Sequence, residues 1–194
     1  MLFVAGNTRQ HALRVGHQYL LNNKFPIINY AVENNYQPNK VVSEYQHLIS
    51  EIPDERFSLA LKLSSFNFDI QKVSTIVSLA QKKNIRIFID AEQDLYHQTY
   101  QDVSSKLMFT YNNSQSIIFK TYQLYRRDSL NYLSNDLDFC YRNNLFLGAK
   151  LVRGAYWNTE QTTGNLFLEK TETDNNYNQG ILKVFTHPYL NQKV

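Results

Sequence analysis

Short apolar, β-branched runs recur along the sequence at Ile27 to Val32, Phe57 to Leu63, Ile85 to Ile89, Ile117 to Phe119 and Leu147 to Val152. Such runs, bounded by polar and turn-forming residues, predict five strands. Their starts are about 30 residues apart, the length of a strand, a helix and two short loops, which predicts repeated βα units and a parallel sheet, either a barrel or a doubly wound fold. Between them the apolar positions follow a helical period. Val41, Tyr45, Leu48 and Ile52 share one face, as do Ile70, Val73, Val77 and Ala80, and Leu130, Leu133, Leu137 and Cys140. A helix over about Thr8 to Asn23 precedes the first strand, and Asn67 or Asp69 is placed to cap the helix after the second. The polar stretch from Asn158 to Asn178, with Gly164, predicts a loop, and Tyr177 to Phe185 a closing helix.

The chain has 194 residues, 43% of them hydrophobic and 19% charged, which fits one globular domain over residues 1–194. The net charge of +3 is spread through interleaved cations and anions, so no nucleic-acid surface is indicated. Cys140 is the single cysteine, which rules out an internal disulfide and a cysteine-rich zinc cage, and its helical spacing from Leu137 marks it as core filler. No run approaches the roughly 18 apolar residues of a bilayer span. The first residues carry neither a secretory h-region nor an import presequence.

In a parallel βα fold, chemistry collects where strands end and βα loops begin, because strand middles are packed. Glu33 follows the first run and reads most simply as a solvated carboxylate. Lys62, between Leu61 and Leu63, must snorkel or meet an anion. Asp90 can cap the next helix and can pair with Lys62 across neighbouring strands, two roles that do not exclude each other. Lys120 to Gln123 end the fourth run, with Tyr122 expected to pack; Arg126 and Arg127 read as a solvated helix start. Lys150 and Arg153 end the fifth, where Gly154 permits close backbone approach to a ligand. Dinucleotide, P-loop, nucleophile-elbow and zincin motifs are absent, and the histidines at 11, 17, 47, 97 and 187 form no ligand pattern, so no metal is expected.

Three stretches, IFIDAEQ at Ile87 to Gln93, FKTYQLYRRD at Phe119 to Asp128 and GAKLVRGAYWNTE at Gly148 to Glu160, resemble proline dehydrogenases. LALKLS at Leu59 to Ser64, INYAVE at Ile28 to Glu33 and KTETDNNYN at Lys170 to Asn178 extend the resemblance over nearly the whole chain. It implies a parallel (βα)8-type barrel, incomplete here with about five βα units. It further implies non-covalently bound FAD, oxidation of L-proline to Δ1-pyrroline-5-carboxylate, and a quinone as electron acceptor.

Residue by residue, the resemblance makes Lys62 the partner of the substrate carboxylate and Asp90 the acid of the same polar network. Lys150 becomes the cation near flavin N5, and Tyr156 an aromatic near the substrate. Ala91, Lys120, Arg153, Gly154 and Ala155 become flavin contacts. Asn29 stands where an acid is usual, and Lys120 where an amide is expected.

The family continues through three more strands to a helix with a Tyr-x-x-Arg-Arg carboxylate clamp. The 194 residues on their own are therefore expected to be an inactive fragment, or to need a partner chain that completes the barrel. The resemblance is to eukaryotic, mitochondrial members, with a cytoplasmic location the alternative, and allows peripheral membrane association. Two other classes fit the bare residues: a (βα)-barrel lyase forming a Schiff base at Lys62 or Lys150, and a non-enzymatic flavin-binding or interaction module.

Overall fold

The computed structural model describes residues 4–30, 37–162 and 165–188. Glu33, the end of the first predicted strand (Ala31 and Val32) and Gly164 lie outside them. Contacts divide the chain into two compact units, residues 1–90 and 91–194.

The first unit begins with α1 (Arg9–Leu21), whose N-cap Thr8 accepts a hydrogen bond from His11 N. Then come β1 (Ile27–Asn29), α2 (Pro38–Glu51), β2 (Ser58–Lys62), a 3-10 turn (Leu63–Phe66), α3 (Ile70–Lys82) and β3 (Arg86–Asp90). Both strand pairings are parallel, with β2 between β1 and β3. The predicted helix faces are the buried ones: Val41, Tyr45 and Leu48 on α2, and Val73, Val77 and Ala80 on α3. Of the two candidate caps, Asp69 is the N-cap of α3, accepting from the amides of Gln71 and Lys72. The ammonium of Lys83 donates to the carbonyls of Ile49, Ser50 and Ile52, satisfying the negative end of α2.

The second unit contains a 3-10 turn (Asp94–Tyr96), α4 (His97–Tyr111), β4 (Ile118–Gln123), α5 (Ser129–Arg142), β5 (Ala149–Val152), α6 (Trp157–Glu160) and α7 (Lys170–Thr186). β4 and β5 pair in parallel, with Thr121 opposite Lys150 and Gln123 opposite Val152. Tyr122, Leu124, Leu133 and Leu137 form the core between β4 and α5, and Ala149 and Leu151 pack against it. The even-numbered side of β4 and the odd-numbered side of β5 therefore face the helices. Thr121, Gln123, Lys150 and Val152 take the opposite face, since strand side chains alternate.

Two elements bear on the sequence reading. β4 runs to Gln123, the strand end expected from Lys120 to Gln123, and α7 starts at Lys170, inside the stretch expected to be a loop. A capping box explains the second: the Glu169 side chain accepts from the amide of Glu172, whose carboxylate accepts from the amide of Glu169. Cys140 is buried as expected, and burial lifts its thiol pKa to about 12, so it is an inert filler. Among the described residues no helix is long and apolar enough to cross a membrane.

Candidate functional site

In the first unit, Leu59, Leu61, Ile87 and Ile89 are fully buried and alternate with Ala60, Lys62, Phe88 and Asp90. The register sets Lys62 directly opposite Asp90, at the carboxyl ends of β2 and β3, and both are partly exposed. Facing residues of neighbouring strands are about 4.8 Å apart at the backbone and project the same way. A cation and an anion thus leave the sheet side by side. Of the two roles open to Asp90, the structure supports adjacency to Lys62. Gln93 and Tyr96 occupy the N-cap positions of the next 3-10 turn and of α4, with no side-chain cap hydrogen bond.

Tyr45 supports the rim from below. Its hydroxyl donates to Ala60 O at 2.7 Å and accepts from Tyr30 N at 3.2 Å, and burial pushes its pKa well above the ordinary phenol value. Asn29, the departure from the expected acid, lies 3.4 Å from the same hydroxyl through Oδ1. At this position a neutral amide stands beside a buried phenol whose single proton goes to Ala60 O.

In the second unit Lys150 leaves β5 on the face shared with Thr121 and Gln123. Gln123 is buried, and its amide nitrogen donates to Glu92 O at 3.1 Å. Lys120 corrects the expectation that it contacts the flavin. Its side chain points to the helices, donating to Asp136 Oδ2 and Ser105 Oγ at 2.7 Å each, with no measurable exposure. Burial drives its pKa down while Asp136 opposes the shift. The amide at this rim is Gln123, three residues on and on the other face. The clue in the sequence was the phase of alternation in KTYQ, which only the strand register fixes.

Beyond β5 the chain turns sharply at Gly154, where φ is +139°. A Cβ there would stand 1.6 Å from Cδ1 of Tyr125, so only glycine lets this backbone lie on the Tyr125 ring. The Tyr125 hydroxyl donates to Glu160 Oε2 at 2.5 Å, and the other oxygen of Glu160 accepts from Asp94 N at 2.7 Å. Both contacts tie α6 to the rim. Tyr156 lies with its hydroxyl 3.5 Å from Ala91 O, so the structure brings these two expected site residues together. Arg153 is turned elsewhere. Its guanidinium meets Asp174 of α7 at 2.5 Å and stacks 4.3 Å from the centre of the Tyr177 ring, leaving the loop backbone, not this side chain, as what faces the rim.

Arg126 is also not the solvated residue its place in the sequence suggested. It is 3% exposed, held by Asp94 at 2.5 Å and Asp128 at 3.2 Å. His97 is buried beside Asp128, and desolvation together with the Arg126 charge lowers its pKa to about 4. Sequence reasoning missed Arg126 and Glu160, because a buried charge is recognised only by its distant partners. Among the described residues no group of His, Cys, Asp and Glu is placed to hold a metal.

The folded chain is thus a parallel α/β protein with cations, an acid and an amide at its strand ends and a glycine turn packed on a tyrosine ring. The family profile described as proline dehydrogenase matches residues 9–192, and the chain belongs to that family. Proline dehydrogenase 1, mitochondrial, from Drosophila melanogaster is 34% identical over 124 residues, covering 64% of this chain and 17% of the relative. A hydroxyproline dehydrogenase from Xenopus laevis is 36% identical over 92 residues, covering 47% of this chain and 20% of the relative. The chain therefore spans about a fifth of the length of these curated relatives. Proline utilization A from Bdellovibrio bacteriovorus superposes with a TM-score of 0.82 at 17% identity, over 92% of this chain and 23% of that one. The fold is that of these proline dehydrogenase domains, which are (βα)8 barrels.

Proposed function

We propose that this chain forms the flavin-facing wall and part of the substrate site of an enzyme that oxidises L-proline to Δ1-pyrroline-5-carboxylate and passes the electrons to a quinone. The observation that carries the reading is the Lys62 and Asp90 pair at the strand ends. Family membership through both units supports treating residues 1–194 as part of one barrel domain. The relatives named mitochondrial support that location for this chain.

FAD, when bound, supplies the hydride acceptor. The residues present fit a flavin: Lys150 and Gln123 offer a cation and an amide on one strand face, and the turn after β5, seated on the Tyr125 ring at Gly154, leaves Gly154 and Ala155 exposed. The Lys62 ammonium binds the proline carboxylate, and Asp90, its register partner, orients that ammonium. Proline then enters with one end fixed, which converts encounter into alignment. Lys150 places a positive charge where negative charge accumulates during reduction. Tyr156 serves as the aromatic near the substrate, and Ala91, whose carbonyl its hydroxyl approaches, as a backbone contact of the flavin. Gly154 and Ala155 contribute backbone to the cofactor, while Arg153 anchors their loop to α7 through Asp174.

Anaerobic addition of L-proline tests this in the assembled barrel, meaning this chain with the remaining strands supplied in the same polypeptide or by a partner chain. Bleaching of the visible flavin band is expected, with hydroxyproline as the competing substrate to compare. A flavin that stays oxidised contradicts the proposal. Covalent labelling of Lys62 or Lys150 by borohydride with a carbonyl substrate would instead support the lyase reading, which family membership does not favour.

A further inference from the structure

Thr121 lies in the middle of β4 with only 3% exposure, and its hydroxyl oxygen finds no hydrogen-bond partner. Among the described residues just two others, His97 and Gln101, have a buried side-chain polar atom in that condition. A buried hydroxyl is normally paired, because its desolvation is otherwise uncompensated. The backbone at this position is not free to relieve it. The Tyr100 hydroxyl accepts from Thr121 N at 2.8 Å and donates to Thr121 O at 2.7 Å, holding both backbone polar groups of the residue along one edge of the strand. The side chain projects on the face opposite Lys120 and Tyr122, and its register partner across the strand pair is Lys150.

From this geometry we propose that the Thr121 hydroxyl is a flavin ligand, hydrogen-bonding the polar edge of the ring system next to the position served by Lys150. The inference rests on the flavin-binding reading above and adds a contact that the sequence resemblance does not assign. Facing residues on parallel strands leave the sheet on one face about 4.8 Å apart, so a ring lying along the Lys150 side chain, at the depth of its stem, meets Thr121 as well. A hydroxyl can donate to a carbonyl or ring nitrogen, or accept from a ring N–H, so it suits such an edge in either redox state. The partner missing from the protein is then provided by the ligand.

The test compares Thr121→Val, which keeps the shape and deletes the hydroxyl, with Thr121→Ser, which keeps the hydroxyl, in the assembled barrel with and without FAD. Thr121→Val is expected to raise the melting temperature of the flavin-free protein, because an unpaired buried hydroxyl is gone. It is also expected to weaken FAD affinity about 5- to 10-fold, as the loss of one hydrogen bond predicts, and to shift the flavin midpoint potential. Thr121→Ser should keep wild-type affinity and potential. The proposal is overturned if Thr121→Val destabilises the flavin-free protein, which would reveal a protein partner for the hydroxyl. It is equally overturned if both variants bind FAD like a wild type that does bind it. A wild type that takes up no FAD overturns the functional reading as well, which separates the two failures.

Discussion

Lys120 and Asp136 form an ion pair of 2.7 Å between β4 and α5, at 1% and 9% side-chain exposure. Tyr122 adds a hydrogen bond to the same carboxylate oxygen at 2.7 Å, and the Lys120 ammonium lies 5.2 Å from the centre of the Tyr122 ring. Burial and the Asp136 charge lift the Tyr122 pKa well above the phenol range, so it stays a donor. Such a pair is a strong constraint on strand position because neither partner can be removed without stranding the other.

Replacing one partner, as in Lys120→Met or Asp136→Asn, is expected to cost about 3–5 kcal/mol in urea unfolding. Replacing both with apolar residues of similar volume should cost far less. Because Lys120 points to the helices, the double variant is expected to leave the flavin absorption spectrum unchanged. A shifted spectrum would restore Lys120 to the cofactor site.

The Gly154 turn predicts its own substitution. Gly154→Ala places a methyl group inside the Tyr125 ring at a φ that L residues avoid. A loss of about 1–3 kcal/mol in unfolding is expected from backbone strain alone, together with faster loss of FAD on dilution. Wild-type FAD retention would remove the turn from the cofactor site.

His97 makes stability pH-dependent. Its pKa in the folded protein, about 4, lies below the ordinary 6.5, mainly through burial and then through Arg126, against the opposing charges of Asp128 and Asp94. Between those values the unfolded chain binds a proton that the folded chain does not, so stability rises as pH increases from 4 to 6.5 and is fully present above. The size is on the order of 3 kcal/mol. Unfolding free energies at the two ends of that window should differ by less in His97→Gln than in wild type. An equal difference in both would contradict the assignment.

Lys150→Met is expected to make the flavin midpoint potential more negative and to slow reduction by proline in the assembled barrel, since a cation that favours the reduced state is gone. An unchanged potential would mean that Lys150 does not face the flavin.

The sequence made β2 and β3 legible because their apolar alternation is unbroken through Leu59, Leu61, Ile87 and Ile89, and it made Asp69 legible as a cap. The apolar run of β4 stops at Phe119, and Lys120 to Gln123 were legible only as its polar end. Lys120 and Gln123 are buried with Asp136 and Glu92 O as side-chain partners, while Tyr100 bonds only the backbone of Thr121, and those partners lie 31 residues or fewer away in other parts of the chain. The polar start of α7 hid a helix whose Asn176 donates to Leu124 O and Arg126 O. No helical face was named for α4, where polar Gln101 and Ser104 share the buried side with Leu107 and Met108. The strand-end motifs located the rim, but deciding which of Lys120 and Gln123 faces it required the register of β4 against β5.

The central claim is that Lys62, beside Asp90, holds the substrate carboxylate. The most direct measurement is an anaerobic titration of the FAD-loaded assembled barrel with L-proline, followed by flavin bleaching in wild type and Lys62→Met. Losing a charge-assisted contact of about 1.5–3 kcal/mol predicts a half-saturating proline concentration raised roughly 10- to 150-fold, with FAD affinity unchanged. Titration curves that coincide, or a wild-type flavin that proline does not bleach, would contradict the account.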